Sequence, residues 1–192
     1  MANRYQICSR ASVLVGGTLI TGFNNESTEE IIAEQLYESV RDNLLSSYRW
    51  RFASQYVELD REAELPGMKW DAQYAIPPGV TMLYGVYLDD MGIEFDRVGD
   101  KILVNTMAED VVVALVGFIP DEELFPAYFT TVLELKLAAM FAVPISEDPQ
   151  KATIYEGMAM RQFAQARAIE SQGRTAVKVP AGGLARYHGG RA

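Results

Sequence analysis

Apolar side chains recur every three to four residues at both ends of the chain and at every second position in its middle, so two helical regions flank a β region. Ile7, Ala11, Leu14 and Val15 share one face of a helix over residues 4–15. Gly16-Gly17 stops it, because glycine reaches the left-handed backbone that closes a helix C-terminus. A phosphate-cradling role for the pair would require a preceding strand and a following Lys-Ser/Thr, and the sequence has neither. A second helix covers residues 27–46. Ser27 and Glu30 form its capping box. Ile32, Leu36, Val40 and Leu44 form its apolar stripe, leaving Glu29, Glu30, Glu34, Glu38, Arg41 and Asp42 to the polar surface.

From about residue 50 to 118 the period is two. Trp50 and Phe52 alternate with Arg49 and Arg51, and Ala75-Ile76-Pro77-Pro78 interrupts the pattern. Short strands follow at 80–88, 93–98 and 101–104, with Gly99-Asp100 as a hairpin turn. The β-branched run 111–118 reads as a buried strand. Together these predict one small, mostly antiparallel sheet. Helical spacing returns over about 123–142, where Phe125, Phe129, Leu133, Leu137 and Met140 line one face up to Pro144. Ser146 then caps a last helix over 147–172, with Glu147 and Asp148 in its first turn and a length of ~39 Å. Alanines at 152, 159, 164, 166 and 168 permit close packing along it. The expected class is α+β and α-rich. It comprises a bundle of about four helices, the last one long, and a small β-domain inserted between helices two and three. Residues 1–172 form a single domain, and 173–192 a loosely structured tail.

Charge sharpens the division at residue 173. The chain of 192 residues carries net −9, yet residues 173–192 hold Arg174, Lys178, Arg186 and Arg191 and no acid, a charge of +4. The other 172 residues hold 13 basic and 26 acidic side chains, net −13. Such a tail either docks on an acidic partner or remains a solvated terminus. The body lacks the basic footprint that non-specific DNA binding needs. With 49% hydrophobic residues, a domain this long buries roughly 70% of its unfolded surface without disulfide staples. Its one cysteine, Cys8, excludes an intrachain disulfide. The opening MANRYQICSR has no signal-peptide layout, and apolar stretches such as 111–119 fall short of the ~20 residues of a membrane helix. We therefore expect a soluble, non-exported chain without a membrane partner.

Catalytic and metal chemistry are poorly supplied. The one histidine, His188, lies in the glycine-rich tail, far from Cys8, so neither a metal cluster nor a Ser-His or Cys-His pair is expected. Nucleotide-binding glycine motifs are missing, and no cofactor is expected. Asp89, Asp90, Glu94 and Asp96 form an acidic group near Tyr84 and Tyr87. They read either as paired carboxylates for glycoside hydrolysis or, more ordinarily, as a solvated aspartate-rich turn.

Four stretches carry a resemblance. RDNLLSSYRWRFA (41–53) resembles the arginine-aspartate, leucine-leucine, tryptophan-x-phenylalanine signature of the tail tubular protein A family, head-to-tail adaptors of short-tailed bacteriophages and related gene-transfer particles. YQICSRASVLVGG (5–17) is similar to the opening helix of that family, and QYAIPPGV (73–80) to its tyrosine-x-leucine-proline element. ELFPAYFTTVLELKLAAMFAVPIS (123–146) resembles its phenylalanine-proline helix and proline-isoleucine-threonine exit, with Ser146 in place of threonine. The resemblance is colinear over residues 5–170. It implies a helical bundle carrying a small β-domain and a twelve-subunit ring in the virion neck, assembled in the host cytoplasm. A portal protein above and a tail or nozzle protein below are the implied partners, and DNA passes through without specific binding. It implies no catalytic residues.

On that footing Trp50, Phe52 and Pro77 are expected structural anchors, with an exposed intersubunit plug the alternative for the two aromatics. Arg49 and Arg51 are candidates for reaching a neighbouring subunit. Arg174, Lys178, Arg186, Tyr187 and Arg191 are candidates for docking on the portal. Asp89, Asp90 and Asp96 either line the DNA channel or serve solubility. The rival expectations are a stopper ring of another size, a glycan hydrolase using residues 89–96, and a small-molecule-binding module, for which no polar constellation is present.

Overall fold

A computed structural model of the chain describes residues 3–24, 27–64, 66–67, 69–107 and 109–172. Helix α1 (Arg4–Val15) begins at Asn3, whose side chain accepts the Gln6 N–H at 2.9 Å. It ends as the glycine pair predicts. Gly16 is left-handed at φ 92°, and the amides of Gly16 and Gly17 donate back to the carbonyls of Val13 and Ser12. Helix α2 (Thr28–Ser46) starts from Ser27, whose side chain accepts the Glu30 N–H at 3.2 Å.

The buried face of α2 departs from the predicted stripe. Ala33, Tyr37, Leu44 and Leu45 are buried, whereas Ile32, Leu36 and Val40 are only partly covered, and Glu30 is buried rather than left to the surface. The cause is the bundle's layout. Helix α3 (Ala127–Ser146) packs against α1, α2 and α4 (Pro149–Gln172) together. A groove lined by side chains of α2, α3 and α4 lies between α2 and α4. The side of α2 carrying Val40 faces that groove.

The chain leaves α2 through Trp50 and a short 3-10 turn at Arg51–Ala53, so the alternation of residues 49–52 does not begin a strand. Among the described residues seven strands follow: β1 (Ser54–Glu58), β2 (Ala72–Ala75), β3 (Val80–Leu88), β4 (Met91–Gly92), β5 (Phe95–Val98), β6 (Lys101–Val104) and β7 (Val112–Phe118). They form two antiparallel sheets, β1-β7-β3-β4 and β2-β6-β5, where one was expected. Tyr74, Ile102 and Val104 of one sheet share an apolar cluster with Val86, Val112, Ala114 and Val116 of the other. Gly99, at φ 63°, turns β5 into β6 as predicted, with Val98 opposite Lys101. Pro77 sits at the turn from β2 to β3, where the chain changes sheets, and its carbonyl accepts the Val80 N–H. Gly117 lies beneath the Tyr84 ring, where a Cβ would come within 2.9 Å of the phenol oxygen.

Helix α3 starts at Ala127, after Pro126, and runs through Pro144 to Ser146, beyond the predicted stop. A proline removes the bond to the carbonyl four residues back and its ring crowds that carbonyl, and here the helix ends two residues later. By length and composition α3 is apolar enough to cross a membrane, contrary to the expectation from uninterrupted apolar runs. Phe129, Val132, Leu133, Leu137, Ala138, Phe141 and others are buried in the helical core, which accounts for the apolarity.

Ser146 does not cap the last helix. It closes α3, its hydroxyl donating to the Ala142 carbonyl. Glu147 is left-handed at φ 52°, and Asp148 is the cap, accepting the N–H groups of Gln150 and Lys151 at 2.9 and 3.1 Å. Near its start α4 holds the end of α1. Lys151 Nζ donates to the Val15 carbonyl at 3.0 Å and the Tyr155 hydroxyl to that of Leu14 at 2.5 Å.

Candidate functional site

Trp50 lies where the helical and β parts join and is fully buried in the helical core. Its Nε1–H donates to the Leu44 carbonyl at 3.0 Å, which satisfies an acceptor at the end of α2. Around its ring stand Tyr48, Phe52, Tyr128, Phe129 and Phe163, with centroids 5.1 to 6.4 Å away. Contributed by α2's exit, α3 and α4, these rings fix where the chain enters β1. Phe52 is partly buried and packs on Phe125 and Phe129.

Beside this cluster is a residue that sequence reasoning missed. Glu170, in the last turn of α4, is 1% exposed. Oε1 accepts the backbone N–H of Arg51 at 2.6 Å and its Nε–H at 3.3 Å, while Oε2 accepts the Tyr128 hydroxyl. Burial and the neighbouring carboxylate hold the Tyr128 phenol above its ordinary pKa, so it remains a donor. An acid near a helix C-terminus opposes the helix dipole, and that was the one signal available. Arg51, with its side chain 52% exposed, thus has a partner within its own chain. The Arg49 guanidinium lies 5.8 Å from the Tyr84 ring centroid, against β3.

Two surfaces of α4 remain to be used. On one side is the groove, of about 640 Å³, walled by Val40 and Leu44 of α2 and by Met160 and Phe163 of α4, with Met140 of α3 between them. A Lys136–Glu156 pair at 2.5 Å ties α3 to α4 within it. On the other side Ile154, Met158 and Ile169 stand exposed. Spaced four and eleven residues apart, they form a ridge along one face, with Met160 set roughly 160° round the helix from Met158.

The acidic group is divided by the hairpin. Asp89 and Asp90 are the two turn residues between β3 and β4, both left-handed at φ 49° and 63°. They share a small surface hollow with Tyr56, Tyr87 and Val113. Asp96 is exposed on β5, in the other sheet, and Glu94 pairs with Lys69 at 3.3 Å. Among the described residues no group of three or more His, Cys, Asp or Glu is placed to hold a metal. Cys8 is buried in the core, which pushes its thiol up to about 12 and leaves it unreactive at neutral pH. The five tail candidates, Arg174, Lys178, Arg186, Tyr187 and Arg191, and His188 lie outside the described residues.

No protein-family model and no curated protein matches the chain, so a function for it has to rest on the arrangement of its own residues.

Proposed function

We propose that the chain is a structural subunit of a phage head-to-tail adaptor, closing with its own copies into a ring between portal and tail. The observation that carries this reading is the pair of unlike apolar surfaces on opposite sides of α4, the groove and the Ile154–Met158–Ile169 ridge. A head-to-tail ring requires two different patches on each subunit, so that one patch meets the other on the next copy. A ridge of branched and thioether side chains and a groove lined by Met140, Met160 and Phe163 are of suitable shape and chemistry, because methionine adapts to irregular partners. The four colinear sequence stretches point the same way, and the net −13 of residues 1–172 suits a channel that DNA traverses without adhering.

The test is to mix the purified chain with a portal protein from the same genome and to image the product. A closed ring seated on the portal, with α4 at the subunit contacts, is expected. Persistently monomeric chain at high concentration with portal present would contradict the proposal. Deleting residues 174–192 is expected to leave the helical circular dichroism spectrum unchanged and to abolish portal docking, because a tethered basic segment gains avidity only when many copies engage together. Docking of the truncated chain at full strength would exclude the tail from that role.

A further inference from the structure

We propose that the hollow beside the β3–β4 turn receives one arginine side chain of another protein, its guanidinium lying against the rings of Tyr56 and Tyr87 and donating to the carboxylates of Asp89 and Asp90.

The hollow measures about 290 Å³ and is lined by Tyr56, Tyr87, Asp89, Asp90 and Val113. Pockets for whole small molecules begin at ~300 Å³, so this one has room for the head of one side chain and little more. A glycine prepares its wall. A Cβ on Gly85 would come within 3.1, 3.2 and 3.3 Å of Oη, Cε2 and Cζ of Tyr87, so that ring lies across β3 where a missing side chain leaves space for it. Tyr56 of β1, 64% exposed, stands at 67° to the Tyr87 ring with centroids 5.8 Å apart. Two rings at a steep angle make the corner of an aromatic cage, whose negative faces attract a cation.

The carboxylates add a charge that hairpin formation does not account for. Both turn residues are left-handed, and such turns are served as well or better by asparagine and glycine. Both aspartates are exposed. Among the described residues no basic side chain pairs with either carboxylate, and none lies over the Tyr56 or Tyr87 ring. The hollow thus joins π faces to two uncompensated negative charges. Guanidinium suits it better than ammonium, because it is planar, stacks on aromatic faces and presents a fork of N–H donors to carboxylates. This site does not depend on the adaptor reading.

The experiment uses the full chain, labelled with nitrogen-15 and with carbon-13 tyrosine, and titrates it with N-acetyl-Gly-Arg-Gly-amide followed by magnetic resonance. The ring signals of Tyr56 and Tyr87 and the amide of Gly85 are expected to shift together along one isotherm in the millimolar range. The same tripeptide with neutral citrulline in place of arginine should leave them unmoved. Asp89→Asn/Asp90→Asn keeps a residue type that tolerates the left-handed turn, so the hairpin amides should stay in place while affinity falls about tenfold or more. Tyr56→Leu, at an exposed position, should weaken binding about threefold. Equal shifts from the citrulline tripeptide or from maltohexaose, equal affinity for the lysine tripeptide, undiminished affinity of the double asparagine variant, or no shift at Tyr56 and Tyr87 would overturn the proposal.

Discussion

Trp50→Ala is expected to remove about 3–5 kcal/mol of stability, the range for truncating a fully buried aromatic. Against a total of roughly 5–15 kcal/mol for a domain, that leaves the helical part close to unfolding. Two separate losses combine. The ring is the contact shared by Tyr48, Phe52, Tyr128, Phe129 and Phe163, so its removal opens a cavity bordered by residues that cannot collapse together. The Leu44 carbonyl also loses its indole donor. Trp50→Phe separates the two losses, because it keeps most of the packing and deletes the indole donor, at a cost of about 0.5–1.5 kcal/mol, since the Ser47 hydroxyl still donates to the Leu44 carbonyl. Urea titrations followed by far-ultraviolet circular dichroism measure both. A shift below about 1 kcal/mol for the alanine variant would mean that the cluster does not need its centre.

Glu170→Ala is the second large effect, about 2–3 kcal/mol, because one carboxylate serves three donors. The Arg51 side chain is 52% exposed and can turn to water, but the Arg51 amide and the Tyr128 hydroxyl lose an acceptor in a part-buried place. Glu170→Gln retains one acceptor oxygen and should fall between the two. The damage should be local, so amide hydrogen exchange over residues 163–172 should accelerate in the alanine variant while residues 7–15 remain protected. Uniform acceleration along the chain would instead mean that the carboxylate supports the whole bundle.

The parts of this structure legible in the sequence are those set by a few neighbouring residues. Ser27 caps its helix, Gly16-Gly17 ends α1, Gly99-Asp100 turns a hairpin, and the apolar run before Phe118 is a buried strand. Misjudgements arose where a choice depended on distant partners or on a competing local signal. Ser146 and Asp148 both suit an N-cap, but Pro149 favours the first helical position, which makes its predecessor the cap. The stripe Ile32–Leu36–Val40 is apolar yet only partly covered, and Val40 is left so because it lines the open groove between α2 and α4. The division of the strands into two sheets depends on β2 pairing with β6 rather than with β3, which no short stretch encodes. Of the site candidates, Trp50 was legible as an anchor from its position after a helix. Glu170 was not, because its partners Arg51 and Tyr128 lie 119 and 42 residues away.

Helix α4 is fastened at both extremities. Lys151 and Tyr155 grip the end of α1, and Glu170 grips the turn that leads into β1. A rod of 24 residues, ~36 Å long, pinned in this way cannot pivot at either tip. Force applied to one extremity is therefore delivered to the other as axial compression or tension rather than absorbed by bending. A collar built from such members would resist crushing along the direction in which its rods lie.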